Sequence, residues 1–201
     1  MKIFITAIGT DCGKTFVSAI FCQALKADYW KPVQTGKIRD AATIQELVSY
    51  PVSVHPETFL LKEPVSPHLA AKLENISISL ENFRMPELGN HLIIEGAGGL
   101  LVPLNDKGEF FLDYLEETDN ETVLVIRLYL GCINHALLSI NELKSRNLKI
   151  KGLVFNGDDS FGAVEIIRSV SGLPVLLHIK EQENITKEVV LNYSNQLDTH
   201  E

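Results

Sequence analysis

The chain has 201 residues, 45% of them hydrophobic and 22% charged, with a formal net charge of −8; this suits one soluble globular domain with a sizeable core. The acidity argues against a nucleic-acid partner or an anionic membrane surface, both of which select a basic face. No apolar run approaches the roughly 18 residues of a membrane span, no signal-peptide pattern opens the chain, and Cys12, Cys22 and Cys132 fit no zinc or disulfide spacing; a reducing cytoplasm is the expected setting.

Apolar, β-branched runs alternate with helix-period segments. Lys2–Ile8 reads as a buried strand and Lys14 to Lys26 as a helix. A short strand at Tyr29–Val33 and a short helix at Asp40–Ser49 follow, and Ser66–Ser79 contains another helix with Pro67 in its first turn. His91–Glu95 is a strand, as are Thr122–Leu128, Lys149–Asn156 and Pro174–His178; Ile133–Asn147 and Phe161–Ser171 are helices. The strands are continuous apolar runs rather than strict alternations, the pattern of strands covered on both faces. The expected architecture is one α/β domain over residues 1–201, doubly wound, with a mostly parallel central sheet flanked by helices. Such sheets hold ligands at the carboxyl ends of their strands.

At the end of the first strand stands Ala7-Ile8-Gly9-Thr10-Asp11-Cys12-Gly13-Lys14-Thr15, opening a helix. Gly13 leaves room for phosphate oxygens, the helix start aims N–H groups at them, Lys14 reaches the terminal phosphates, and the Thr15 hydroxyl suits Mg²⁺. Ile8 occupies the first glycine position of the usual phosphate-loop pattern. A bare Gly-Lys-Thr also begins ordinary helices, so the strand–loop–helix context carries the reading. Glu95 ends the apolar run His91–Ile94 just before Gly96-Ala97-Gly98-Gly99, which puts a carboxylate at the sheet edge where a second metal ligand belongs. Asp40 begins a helix, either as a metal ligand or as a helix cap. Lys31 lies inside an apolar, strand-like segment, where it faces the phosphate site or a reacting carboxylate, or else snorkels to solvent. Gly131-Cys132-Ile133-Asn134-His135-Ala136 opens a helix whose free N–H groups could hold a carboxylate.

Taken in order, the Gly13-Lys14-Thr15 loop, Lys31-Pro32-Val33, Ser66-Pro67-His68, Glu95-Gly96-Ala97-Gly98-Gly99 and Gly131–Ala136 resemble the dethiobiotin synthetases, a family on the P-loop NTPase fold. The resemblance covers roughly residues 2 to 156. It implies an ATP- and Mg²⁺-dependent cyclo-ligase that carboxylates 7,8-diaminononanoate with CO₂ and closes the ureido ring through a carbamic–phosphoric mixed anhydride. Lys14 and Lys31 would then be catalytic, and Thr15, Asp40 and Glu95 would place the metal. Asp11, Cys12, Gly13, Lys14, Thr15, Phe16, Glu95, Gly98 and Asn156 would bind the nucleotide. Thr10, Asp11, Lys31 and Thr35 would line the carbamate and amine pocket, and Gly131, Cys132, Ile133 and Asn134 of a second subunit would meet the substrate's carboxylate in a homodimer.

The chain departs from the family at Ala7 and Ile8, at Gly157 after the base-reading Asn156, and in Pro174–Lys180, which matches the adenine-contacting segment only loosely. Phosphate contacts are complete while base contacts are thin, so weak discrimination between ATP and other nucleoside triphosphates is expected. Three rivals fit less well. A related amide ligase needs a glutaminase domain, for which there is no length. A non-catalytic module of the same fold has no use for Lys14, Lys31 and Glu95 together. A ParA-like ATPase carries a second lysine early in its loop, where Ala7–Thr10 has none.

Overall fold

A computed structural model describes residues 1–87 and 89–197. Seven parallel strands form the central sheet. In chain order they are β1 (Lys2–Ala7), β2 (Asp28–Trp30), β4 (Val54–His55), β6 (Leu92–Glu95), β7 (Glu121–Arg127), β8 (Lys149–Asn156) and β9 (Val175–Ile179). Their spatial order is β4-β2-β6-β1-β7-β8-β9, with each neighbouring pair parallel. All carboxyl ends therefore share one edge of the sheet. The expected α/β, doubly wound architecture is what the chain forms.

The continuous apolar strands have the expected physical cause. Ile3, Ile5 and Ala7 of β1 enter one core with Val17, Ile20, Ile44 and Val190. Phe4 points to the opposite core with Leu112, Leu115, Ile140 and Ile167. The first core is capped by α1 (Lys14–Leu25), α2 (Asp40–Leu47) and α7 (Lys187–Ser194). The second lies under α4 (Phe111–Glu116), α5 (Cys132–Ser145) and α6 (Ala163–Ser171). Both faces of the sheet are covered by apolar side chains, so polar groups inside need specific partners.

The predicted strand Tyr29–Val33 is two strands. Pro32 has no N–H to donate, and beyond it β3 (Val33–Thr35) leaves the main sheet to pair in parallel with β5 (Phe59–Leu61). This bend places Lys31 at the carboxyl edge rather than in mid-strand. The helix expected within Ser66–Ser79 is α3 (Pro67–Leu73), with its proline in the first turn. The remaining predicted helices and strands form with ends shifted by a residue or two. β4, β5, α4 and α7 carry no sequence signal strong enough to mark them, being two to eight residues long. In α7 the ring of Tyr193 stands edge-on to Phe16 of α1 at 6.2 Å. Its hydroxyl accepts from the Lys180 N–H at 3.1 Å and from Gln182 Nε2 at 3.3 Å. The last helix thus ties the loop after β9 to the first turn of α1.

Candidate active site

The loop between β1 and α1 is built for close approach. Asp11 and Gly13 both hold left-handed backbone, with φ of 57° and 92°, and the turn delivers Lys14 and Thr15 as the first residues of α1. Asn156, the last residue of β8, donates from Nδ2 to the Cys12 carbonyl at 3.0 Å. A Cβ on Gly13 would collide with that same Nδ2. Gly99 packs against Gly9 from the loop after β6, where an added Cβ would lie 3.2 Å from the Gly9 Cα. No acidic side chain occupies the first turn of α1, so the helix dipole and the N–H groups remain available to an anion. Gly13→Ala combines a forbidden φ with a collision, and the apparent KM for nucleotide is expected to rise by at least about tenfold, roughly 1.4 kcal/mol, measured by initial rates at saturating co-substrates.

The charged centre lies beside this loop. Glu95 is fully buried, and Lys14 and Lys31 are only 7% and 6% exposed. Glu95 Oε1 accepts from Thr15 Oγ1 at 2.9 Å and from Lys31 Nζ at 3.0 Å, while Oε2 accepts from the Tyr29 hydroxyl at 2.9 Å. Lys31 Nζ also pairs with the Asp40 carboxylate. Burial would push the Glu95 carboxyl up, but the Lys31 charge and the three hydrogen bonds outweigh it, and it stays below the usual glutamate range. Burial likewise opposes the charge on Lys31, yet Glu95 and Asp40 together hold its pKa above that of a free lysine. Lys14 has no such surplus of partners. Burial first, with Lys31 adding repulsion against the help of Glu95, lowers its pKa, and its Nζ rests 3.4 Å from the Gly9 carbonyl.

Asp40 is not the helix cap. Arg39 is the cap of α2 and Asp40 its first helical residue. The Asp40 N–H is satisfied by Gln34 Oε1 at 3.0 Å, which leaves the carboxylate to Lys31. Thr15, Asp40 and Glu95 thus present hard oxygens around one ammonium. Among the described residues no three His, Cys, Asp or Glu side chains gather as a metal centre.

A cavity of about 790 Å³ opens here and is lined by Thr10, Asp11, Gly13, Lys14, Thr15, Phe16, Lys31, Thr35, Asp40, Glu95 and Gly98. That volume suits a nucleotide with a small co-substrate. The sequence expectations therefore converge on one site, with exceptions. Cys12 is buried beneath the loop, its thiol pushed up by burial, and Asn156 touches the loop through the Cys12 carbonyl without lining the cavity. Gly131, Ile133 and Asn134 begin α5 at some remove, and Cys132 there has its side chain in the core and its N–H on the Tyr129 carbonyl at 3.0 Å. A second cavity of about 580 Å³ runs along α5 past His135, Leu138 and Ser139 and shares Thr10 with the first. Sequence reasoning missed Tyr29 and Gln34. Tyr29 was within reach, since strand alternation puts it on the same face as Lys31.

The ATP-dependent dethiobiotin synthetase BioD of Cytophaga hutchinsonii is 52% identical over 199 residues, covering 98% of this chain and 96% of that one. The chain belongs to the dethiobiotin synthetase family. The dethiobiotin synthetase of Christiangramia forsetii is 44% identical, with 95% and 93% of the two chains covered. A family model described as an AAA domain matches residues 1–189. Among solved structures, the cell division ATPase MinD of Pyrococcus furiosus superposes with a TM-score of 0.55 at 14% identity, over 97% of each chain. A ParA family ATPase from Chlorobium tepidum gives 0.53 at 14%, over 97% of this chain and 99% of that one. These two likenesses establish the P-loop fold of this dethiobiotin synthetase family member and nothing about its chemistry.

Proposed function

We propose that this chain uses ATP to join CO₂ to 7,8-diaminononanoate and close the ureido ring of dethiobiotin, in the biotin pathway of the cytoplasm. The observation that carries the reading is the Lys31 ammonium, held by Glu95 and Asp40 at the mouth of a phosphate-binding loop whose own lysine lines the same cavity. Two lysines in one pocket suit a reaction between two anions.

In the first step one amine of the substrate takes up CO₂, giving a carbamate and a proton. A carbamate oxygen then attacks the γ-phosphorus, the bond to the β-phosphate oxygen breaks, and ADP leaves. The second amine attacks the carbamoyl carbon of the mixed anhydride, closing the five-membered ring and expelling phosphate. Lys31 and Lys14 hold carbamate and γ-phosphate together against their mutual repulsion, which is work that positioned charges do well in a water-poor site. Thr15, Asp40 and Glu95 would hold Mg²⁺, which supplies positive charge to the phosphoryl oxygens when bound. Thr10, Asp11 and Thr35 border the space left for the diamine. We assign the substrate's carboxylate to the start of α5 in a second copy of the chain, Gly131–Asn134, where the first-turn N–H groups other than that of Cys132 lie outside the helix's own hydrogen-bond ladder.

Phosphate release that requires the diamine and CO₂ together tests this reaction; release by nucleotide alone, unaffected by either, would contradict it. The nucleotide choice is expected to be loose. Asn156 has committed one of its amide hydrogens to the loop, and one side chain reading one edge distinguishes purines poorly. Values of kcat/KM for ATP and GTP within about tenfold of each other are expected, and a strong preference for ATP would overturn this point.

A further inference from the structure

A third cavity lies beneath the Gly96–Gly99 loop that follows β6. Val33 and Ala97 line both it and the main cavity, while Gly99, Leu100 and Val102 line both it and the second cavity along α5. It therefore stands between the two. It is small, leaving the centre of a water-sized sphere about 10 Å³ in which to move, room for one small molecule. Phe4, Phe111, Leu104, Leu112 and Pro67 form much of its wall. Among the described residues that line it, Thr6 carries the only polar side chain.

The loop lies directly on this wall because it lacks side chains there. A Cβ on Gly96 would stand 3.0 Å from the Phe4 ring, and one on Gly98 would stand 2.7 Å from Val102 Cγ2. Two N–H groups of this segment are already paired, Gly96 with the Ile5 carbonyl at 3.0 Å and Leu100 with the Ala7 carbonyl at 3.1 Å. A water molecule needs about two to four polar partners, and such a wall offers few. Bicarbonate would bring in a charge with no counter-ion, at far greater cost. CO₂ has no net dipole and no hydrogen to donate, so it gives up little on leaving water. We propose that this cavity is a holding site for CO₂, which passes from it between Val33 and Ala97 to the amine beside Lys31. The same wall selects CO₂ over bicarbonate. This rests on the reaction assigned above.

Nitrous oxide is the probe, being linear, isoelectronic with CO₂ and inert to amines. In the wild-type protein, with carbonic anhydrase keeping CO₂ and bicarbonate in equilibrium, it should raise the apparent KM for CO₂ and leave kcat unchanged. At saturating CO₂ it should alter the KM for neither nucleotide nor diamine. Wild-type crystals pressurised with nitrous oxide should show the gas between Phe4, Val33 and Leu112. Leu112 lines neither of the larger cavities, so Leu112→Phe fills the space from below. It should raise the KM for CO₂ by about three- to tenfold, a modest loss for so small a ligand, and abolish inhibition by nitrous oxide. Its kcat and its KM for nucleotide and diamine should stay within about twofold of the wild type. Overpacking a core costs stability, and the wild-type gas measurements decide the matter without this variant. The proposal is overturned if nitrous oxide does not compete with CO₂, if the pressurised crystals show no gas there, or if folded Leu112→Phe keeps the wild-type KM for CO₂. A wild-type protein that takes nitrous oxide into the cavity yet fixes no labelled CO₂ would instead sink the reading of the reaction, and the proposal with it.

Discussion

Lys31→Ala should lower kcat for ring closure by about 10²–10³-fold, the usual cost of losing one donor that stabilises developing charge. The structural reason is the placement of Nζ between Glu95 and Asp40 in the lining of the cavity. The same substitution leaves Glu95 buried with only the Thr15 and Tyr29 hydroxyls as partners. Breaking a buried pair on one side costs about 3–5 kcal/mol, so the melting temperature should fall as well. Lys31→Arg separates the two effects. It keeps the charge and should recover much of the stability, but the planar fork cannot set a single ammonium against both carboxylates and a carbamate. Its turnover should remain low. Recovery of turnover by Lys31→Arg would mean that charge alone, not its position, is what this residue supplies.

Glu95→Gln should be nearly as damaging, for a different reason. The amide retains the shape and can still accept from Tyr29 or Thr15, but it neither balances Lys31 nor offers a carboxylate to Mg²⁺. A kcat loss of about 10²-fold and a clear rise in the Mg²⁺ needed for half-maximal rate are expected. Stability gives an independent readout with a definite sign. The Glu95 carboxyl titrates below the usual range in the folded protein, because Lys31 and three hydrogen bonds outweigh burial. The unfolded chain therefore binds the proton first as pH falls. The stabilisation is complete above the unfolded value of about 4.3 and is lost as pH drops through the folded value. Glu95→Gln should lose stability at neutral pH and show a shallower acid limb than the wild type. Parallel acid limbs for the two proteins would remove Glu95 from the account.

Much of this was legible locally. A β-branched run ending in a glycine-rich turn and Lys-Thr specifies strand, loop and helix within 25 residues. Glu95 could be placed because a carboxylate closing an apolar strand has nowhere to go but the sheet edge. The family resemblance added the chemistry, which geometry alone does not name. What the sequence hid were relations between ends of different strands. Pro32 was visible, yet nothing nearby signalled that β3 would pair with β5 and turn Lys31 toward Asp40. The hydrogen bond that Gln34 accepts from the Asp40 N–H depends on that same bend. Arg127 and Glu181 are brought together only because β8 lies between β7 and β9 in the sheet.

The most direct test is incorporation of labelled CO₂ into the cyclic urea by the purified wild-type protein, supplied with 7,8-diaminononanoate, Mg²⁺ and ATP, with Lys31→Ala in parallel. The expected result is labelled dethiobiotin formed with one ADP and one phosphate per ring, dependent on every component and nearly absent in the variant. A folded wild-type protein that incorporates no label with either ATP or GTP would contradict the account.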